Sequence, residues 1–203
     1  MLAHAAYDKP PFTSSRSCGA MNCYILIGGQ SRRMGRPKAE LFLDRVASVA
    51  SEVFEEVIAV QRHEGAAASI PTIYERPHDD QAPVFGVACA LAHARGRCFI
   101  LAVDYPLITA ALLRHLRARF ERSRALLVAP VWSGKTQMLC GGYAPELLVR
   151  IEQRLAATRY DLRGLAGGDD ADIIPEEELR AAFAGEPLMN VNTPEELDPD
   201  LLS

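Results

Sequence analysis

Leu26-Ile27-Gly28-Gly29-Gln30-Ser31-Arg32-Arg33-Met34-Gly35-Arg36-Pro37-Lys38 begins inside the β-rich run Cys23 to Ile27 and leads into a segment of helical spacing, Leu41 to Val53. A strand, a glycine-rich loop and a helix in that order open an α/β fold. Three glycines let backbone N–H groups approach an anion with no Cβ in the way, and Ser31, Arg32, Arg33 and Lys38 add a hydroxyl and cations around the same loop. This is the composition of a polyphosphate cradle. The spacing excludes a Walker A loop, which needs Lys directly after its last Gly, and a dinucleotide fingerprint, which needs G-x-G-x-x-G. The same residues would also serve as a glycine-rich turn entering a basic solvated face.

Working outward, Val57 to Val60 and Ile70 to Tyr74 read as strands, Val84 to Ala94 as an Ala-rich helix, and Cys98 to Val103 as an apolar run without alternation. A strand of that last kind is covered on both faces. Leu112, Leu113, Leu116 and Phe120 give Ala110 to Arg122 a helical period. Ala125 to Val131 and Met138 to Tyr143 flank Trp132-Ser133-Gly134-Lys135-Thr136, a hairpin or a long connection between neighbouring strands. Pro145 suits the first turn of a helix reaching about Ala157. Ile173-Ile174, a Glu-rich helix from Glu176, a short run at Leu188 to Val191 and a last helix capped by Thr193 with Pro194 at its first position complete the chain. Strands alternating with helices predict a three-layer α/β/α sandwich around a mainly parallel sheet. Residues 1 to 20 carry no periodic apolar face and read as a flexible leader, and 21 to 203 read as one domain, with Met21 directly before the first strand.

Composition bounds the function. The chain has 203 residues, 49% hydrophobic and 24% charged, with a net charge of -4, so it offers no global field for nucleic acid or an anionic membrane. No apolar run approaches the roughly 18 to 20 residues that span a bilayer. Five cysteines without C-x-x-C spacing and five scattered histidines argue against zinc and for reduced core thiols in a soluble, cytoplasmic protein. Arginine dominates the 22 basic residues, and the lysines are Lys9, Lys38 and Lys135.

Three further positions could carry chemistry. Asp104 ends the apolar run Phe99 to Val103, at the carboxyl end of a predicted central strand, where open α/β sheets bind ligands and where one carboxylate beside phosphates suits Mg2+. It could equally cap the helix beginning near Thr109. Asn190 and Asn192 alternate around Val191 and share a face if extended, although turn-forming asparagines before a helix fit the same pattern. Glu75 falls at the end of another strand, where a carboxylate could accept from a guanine edge or ribose hydroxyls, or simply face solvent.

Taken together these segments resemble the molybdenum cofactor guanylyltransferases, the MobA family of the nucleotide-diphosphate-sugar transferase superfamily, with its Rossmann-like nucleotidyltransferase fold. The family loop L-A-G-G-x-S-x-R-M-G-x-D-K matches Leu26 to Lys38 in register, with Ile27 for Ala and Pro37 for Asp. Pro83-Val84-Phe85-Gly86 resembles its P-L-x-G, Val103-Asp104-Tyr105-Pro106 its D-x-P, Gln137-Met138-Leu139-Cys140 its Q-P-L-C, and Asn190 to Leu197 its N-V-N-T-P-E-E-L. The resemblance implies that Leu26, Ile27, Gly28 and Gly29 contact the nucleotide and Lys38 its phosphates. It also implies that Glu75 replaces a nucleotide-contacting Asp, that Asp104 holds Mg2+, and that Asn190 and Asn192 lie by the pterin phosphate. Two departures stand out: the segment between Lys38 and Val57 is short and lacks the G-x-P-L turn, and Ala59 stands where some members place a nucleotide-contacting Asn.

The reaction so implied is transfer of GMP from GTP to the terminal phosphate of molybdopterin carrying molybdenum, with Lys38, Arg33 and Asp104 meeting the charge on the leaving pyrophosphate. GTP and the molybdenum cofactor are its substrates, with transient contacts to cofactor-biosynthesis proteins or recipient molybdoenzymes. A pterin cytidylyltransferase, a sugar-phosphate nucleotidyltransferase and a non-catalytic nucleotide-binding module are the competing readings.

Overall fold

The computed structural model describes residues 21–27, 38–62 and 69–191. The leader, the loop after the first strand and the Thr193 helix therefore lie outside the described residues. Strands β1 (Cys23–Leu26), β2 (Val57–Gln61), β3 (Thr72–Tyr74) and β4 (Cys98–Ala102) all pair in parallel, in the order β3-β2-β1-β4. Strand β7 (Cys140–Tyr143) then inserts antiparallel between β4 and β5 (Leu127–Trp132), β6 (Lys135–Thr136) folds back on the end of β5, and β8 (Ala171–Ile174) runs parallel to β5.

Alternation assigns the two faces. Cys23, Ile25, Phe99 and Leu101 pack with helices α1 (Lys38–Ser51), α3 (Ala110–Arg122) and α5 (Glu176–Ala182), whereas Tyr24, Leu26, Cys98 and Ile100 pack with α2 (Pro83–Ala94) and α4 (Leu147–Ala156). Every residue of β1 and β4 is buried, as expected of strands covered on both sides. The predicted three layers are present. Helix α3 has the predicted limits because Thr109 caps it, its side chain accepting from the Leu112 N–H at 3.2 Å.

The differences lie at the edges of elements. Pro145 sits in the turn before α4, where its carbonyl accepts from Leu148. Leu188 to Val191 is buried mainly through Leu188 and Val191 but pairs with no strand among the described residues. The Trp132–Thr136 stretch is a hairpin: Trp132 pairs Lys135, and Ser133 and Gly134 turn the chain with φ 50° and 68°. Because β7 is antiparallel to both β4 and β5, β5 runs in the direction of β4 and delivers this hairpin to the same rim on which β1 to β4 end.

Candidate active site

β1 and β4 finish level, Leu26 opposite Ala102, and the Val103 N–H donates back to the Leu26 carbonyl at 3.3 Å. Asp104 thus leaves the sheet beside the mouth of the loop after β1, and Lys38 opens α1 at the same rim. Asp104 is half-buried. It is not the cap of α3, a task Thr109 performs. Its carbonyl accepts instead from the Val191 N–H at 3.2 Å, which brings exposed Asn190 to the rim; Asn192 lies outside the described residues.

The adjoining floor is made by a motif that sequence reading left without a role. Tyr105 Oη donates to Gln137 Oε1 at 3.0 Å, and Gln137 Nε2 donates to the Trp132 carbonyl at 2.9 Å. Gln137 therefore ties the turn after Asp104 to the hairpin. Burial first, with the Asp104 charge adding, pushes the Tyr105 hydroxyl far up, so it stays protonated and donates.

On the other side of the rim, Glu75 follows β3, its N–H donating to the Gln61 carbonyl at 2.8 Å. The chain returns into α2 at Pro83, and Gly86 passes so close that a Cβ there would lie 3.0 Å from Oε1 of Glu75 and 3.1 Å from Cδ2 of Leu26. The other oxygen, Oε2, is 2.7 Å from Nε2 of His78. His78 stacks on Phe85 at 3.8 Å between centroids. Leu26, Glu75 and Gly86, drawn from three separate segments, close against one another at the strand ends.

A family description, the MobA-like NTP transferase domain, matches residues 23–169. The chain belongs to that family. It is 33% identical over 185 residues to a probable molybdenum cofactor guanylyltransferase of Pelotomaculum thermopropionicum, covering 85% of this chain and 88% of that one. A protein of the same name from Aquifex aeolicus is 29% identical over 187 residues, covering 86% and 87%. In architecture the chain is similar to the molybdopterin-guanine dinucleotide biosynthesis protein A of Archaeoglobus fulgidus, with a TM-score of 0.74 at 23% identity over 87% of this chain and 94% of that one. The matched stretch of this MobA-like domain contains Leu26, Lys38, Glu75, Asp104 and Gln137.

Of the expected site residues, the structure brings Leu26, Ile27, Lys38, Glu75, Asp104 and Asn190 to the one rim; Gly28, Gly29, Arg33 and Asn192 lie outside the described residues. Ala59 does not reach it. It is fully buried in mid-strand, opposite Ile25 and Thr72, and the rim position of β2 is Gln61. Phe85 and Gln137 stand in motifs that the sequence singles out without giving either a role, and His78 stands in none. The signal for His78 was its place three residues after a strand-end carboxylate, which a search for paired histidines passes over.

Cys23, Cys89, Cys98 and Cys140 are free and buried. Burial, followed by the Glu75 charge, pushes the Cys89 thiol up to about 12, and its Sγ donates to the Tyr74 carbonyl at 3.2 Å. These thiols are packing groups. Among the described residues no group of three or more His, Cys, Asp or Glu could hold a metal, and no helix is long and apolar enough to cross a membrane. A depression lined by Arg150, Gly164, Leu165 and Asp170 lies among the segments before β8, away from the rim residues of β1 and β4.

Proposed function

We propose that this chain transfers GMP from GTP to the terminal phosphate of the molybdenum-bearing pterin cofactor and releases pyrophosphate. The observation that carries this is the convergence of Leu26, Asp104 and Glu75 on one rim from the ends of β1, β4 and β3. The family membership and the printed names of its relatives support it.

In the step itself an oxygen of the pterin phosphate attacks the α-phosphorus of GTP. A P–O bond forms there, the bond to the bridging oxygen breaks, and its electron pair leaves on pyrophosphate. A phosphate monoester is largely dianionic at pH 7, its second pKa being about 6, so the nucleophile requires no protein base. The chain's work is to hold two anions together. Ile27, its N–H already given to the Val60 carbonyl at 3.0 Å, would line the nucleotide, backbone N–H groups of Gly28 and Gly29 would donate to phosphate oxygens, Lys38 and Arg33 would face the charge that grows on the leaving group, Glu75 would accept from the base, and Asn190 and Asn192 would flank the pterin phosphate without adding charge.

One half-buried carboxylate at a sheet rim suits magnesium, which completes its coordination with substrate phosphates and water rather than an all-protein cage. Bound at Asp104, it would neutralise phosphate charge. The cytoplasm, where thiols stay reduced, suits the four buried cysteines.

Pyrophosphate release measured with GTP or CTP, with and without the molybdenum cofactor, tests the proposal. Cofactor-dependent release from GTP is expected. Preference for CTP would make the chain a cytidylyltransferase, and nucleotide binding without release from either would make it a binding module.

A further inference from the structure

His78 holds two contacts that a neutral imidazole cannot make together beside an ionised carboxylate. Its Nδ1 lies 2.6 Å from the Asp80 carbonyl oxygen and its Nε2 lies 2.7 Å from Oε2 of Glu75. A carbonyl oxygen only accepts, so Nδ1 carries a hydrogen. A carboxylate also only accepts, and a neutral ring would turn a lone pair toward it. The Nε2–Oε2 contact is therefore a hydrogen bond only when a second hydrogen lies between these two atoms.

The ring is held at one face and at both nitrogens. It lies flat on Phe85, with 12° between the planes. Phe85 in turn meets Tyr160, whose hydroxyl donates to Asp80 Oδ2 at 2.6 Å. Arg62 donates to the His78 carbonyl at 2.6 Å. The side chains of His78 and Glu75 are 12% and 9% exposed, so solvent screens this pair far less than a surface ion pair. With Oε2 held, the remaining oxygen, Oε1, is turned toward Gly86 and the end of β1 at the rim.

We propose that His78 is a positioning residue for nucleotide recognition: as an imidazolium it clamps Oε2 of Glu75 so that Oε1 is offered as a fixed acceptor to an N–H on the guanine edge. This rests on the guanylyl-transfer reading above. An unclamped glutamate samples several rotamers and must be ordered by the base on binding, so the clamp acts on affinity rather than on the chemical step.

The test compares His78→Phe, which keeps the volume and the stack on Phe85 but has no donor, with His78→Gln, which returns one amide donor to Oε2. In the wild type, nitrogen NMR of the ring at neutral pH is expected to show both nitrogens protonated. His78→Phe is expected to raise the calorimetric Kd and the KM for GTP about tenfold with kcat within about twofold, and His78→Gln to recover most of that loss. A neutral His78 ring, an unchanged Kd for GTP in His78→Phe, or a loss that His78→Gln does not reduce would each overturn the clamp. If His78→Phe fails to fold, the ring spectrum of the wild type decides. Wild-type protein that binds no GTP refutes the guanylyl-transfer reading, whereas protein that binds GTP with a neutral His78 ring refutes the clamp alone.

Discussion

Replacing Gly86 by alanine sets two effects of similar size against each other. Within helix α2 the substitution restricts the unfolded chain and favours folding by about 0.5–1 kcal/mol. The added Cβ would stand 3.0 Å from Oε1 of Glu75 and 3.1 Å from Cδ2 of Leu26, with the second Leu26 methyl at 3.5 Å. Comfortable contact begins at about 3.5 Å, so the neighbours must retreat by a few tenths of an ångström. Leu26 is buried on a strand paired on both sides, and Glu75, at the end of an edge strand, gives way more easily. Its retreat strains the 2.7 Å contact with His78. A hydrogen bond to a charged group is worth about 1.5–3 kcal/mol, and losing roughly half of it, about 1 kcal/mol, cancels the helix gain. The melting temperature should therefore stay within about 3 °C of wild type, at about 2–4 °C per kcal/mol for a chain of this size. The displaced Oε1 should raise the KM for GTP about five- to tenfold, about 1–1.4 kcal/mol, with kcat within about twofold. Scanning calorimetry and steady-state pyrophosphate release measure the two quantities. A folded Gly86→Ala protein with the wild-type KM for GTP would show that Glu75 and Gly86 do not border the nucleotide.

Asp104→Ala should lower turnover about a hundredfold or more while changing the Kd for GTP less than about threefold, because charge on the leaving group grows only in the transition state; near-normal turnover with magnesium present removes Asp104 from the site. Gly142→Ala should be costly in the fold, since a Cβ would lie 2.2 Å from two ring carbons of Phe120. Overpacking of this kind costs about 3 kcal/mol, a fall of about 6 °C or more in melting temperature, and Phe120→Leu in the same chain should recover part of it. Arg119 makes hydrogen bonds of 2.7 and 3.0 Å to Asp172 and holds its carboxyl below the usual carboxylate range. The folded state keeps Asp172 ionised to lower pH than the unfolded chain does, so its contribution is present above about pH 4 and disappears as pH falls through the folded value. Asp172→Asn should thus lose about 0.5–1 kcal/mol at pH 7, the range of a largely screened pair, and show a smaller difference from wild type at pH 3; an equal difference at both pH values would refute the assignment.

The layers of this protein were legible in its sequence because burial leaves a local trace. Cys98–Ala102 reads as a strand without alternation since its side chains enter apolar cores on both faces, and Ala110–Arg122 reads as a helix since Leu112, Leu113, Leu116 and Phe120 return to one face behind a threonine cap. The rim positions of Glu75 and Asp104 followed from the same rule, each lying just past the end of a strand. The sheet order did not follow. Strand β7, two glycines between Cys140 and Tyr143, enters between β4 and β5 because Gly142 lets the Phe120 ring lie against it, a contact between residues 22 positions apart that no period encodes. The Gln137 link from Tyr105 to the hairpin and the contact of His78 with Glu75 are of the same kind. A side chain's period reports which face it turns inward, and that is fixed by neighbours three or four residues away. Which acceptor its ring meets depends on where separate segments come to rest, and packing of the whole chain sets those distances.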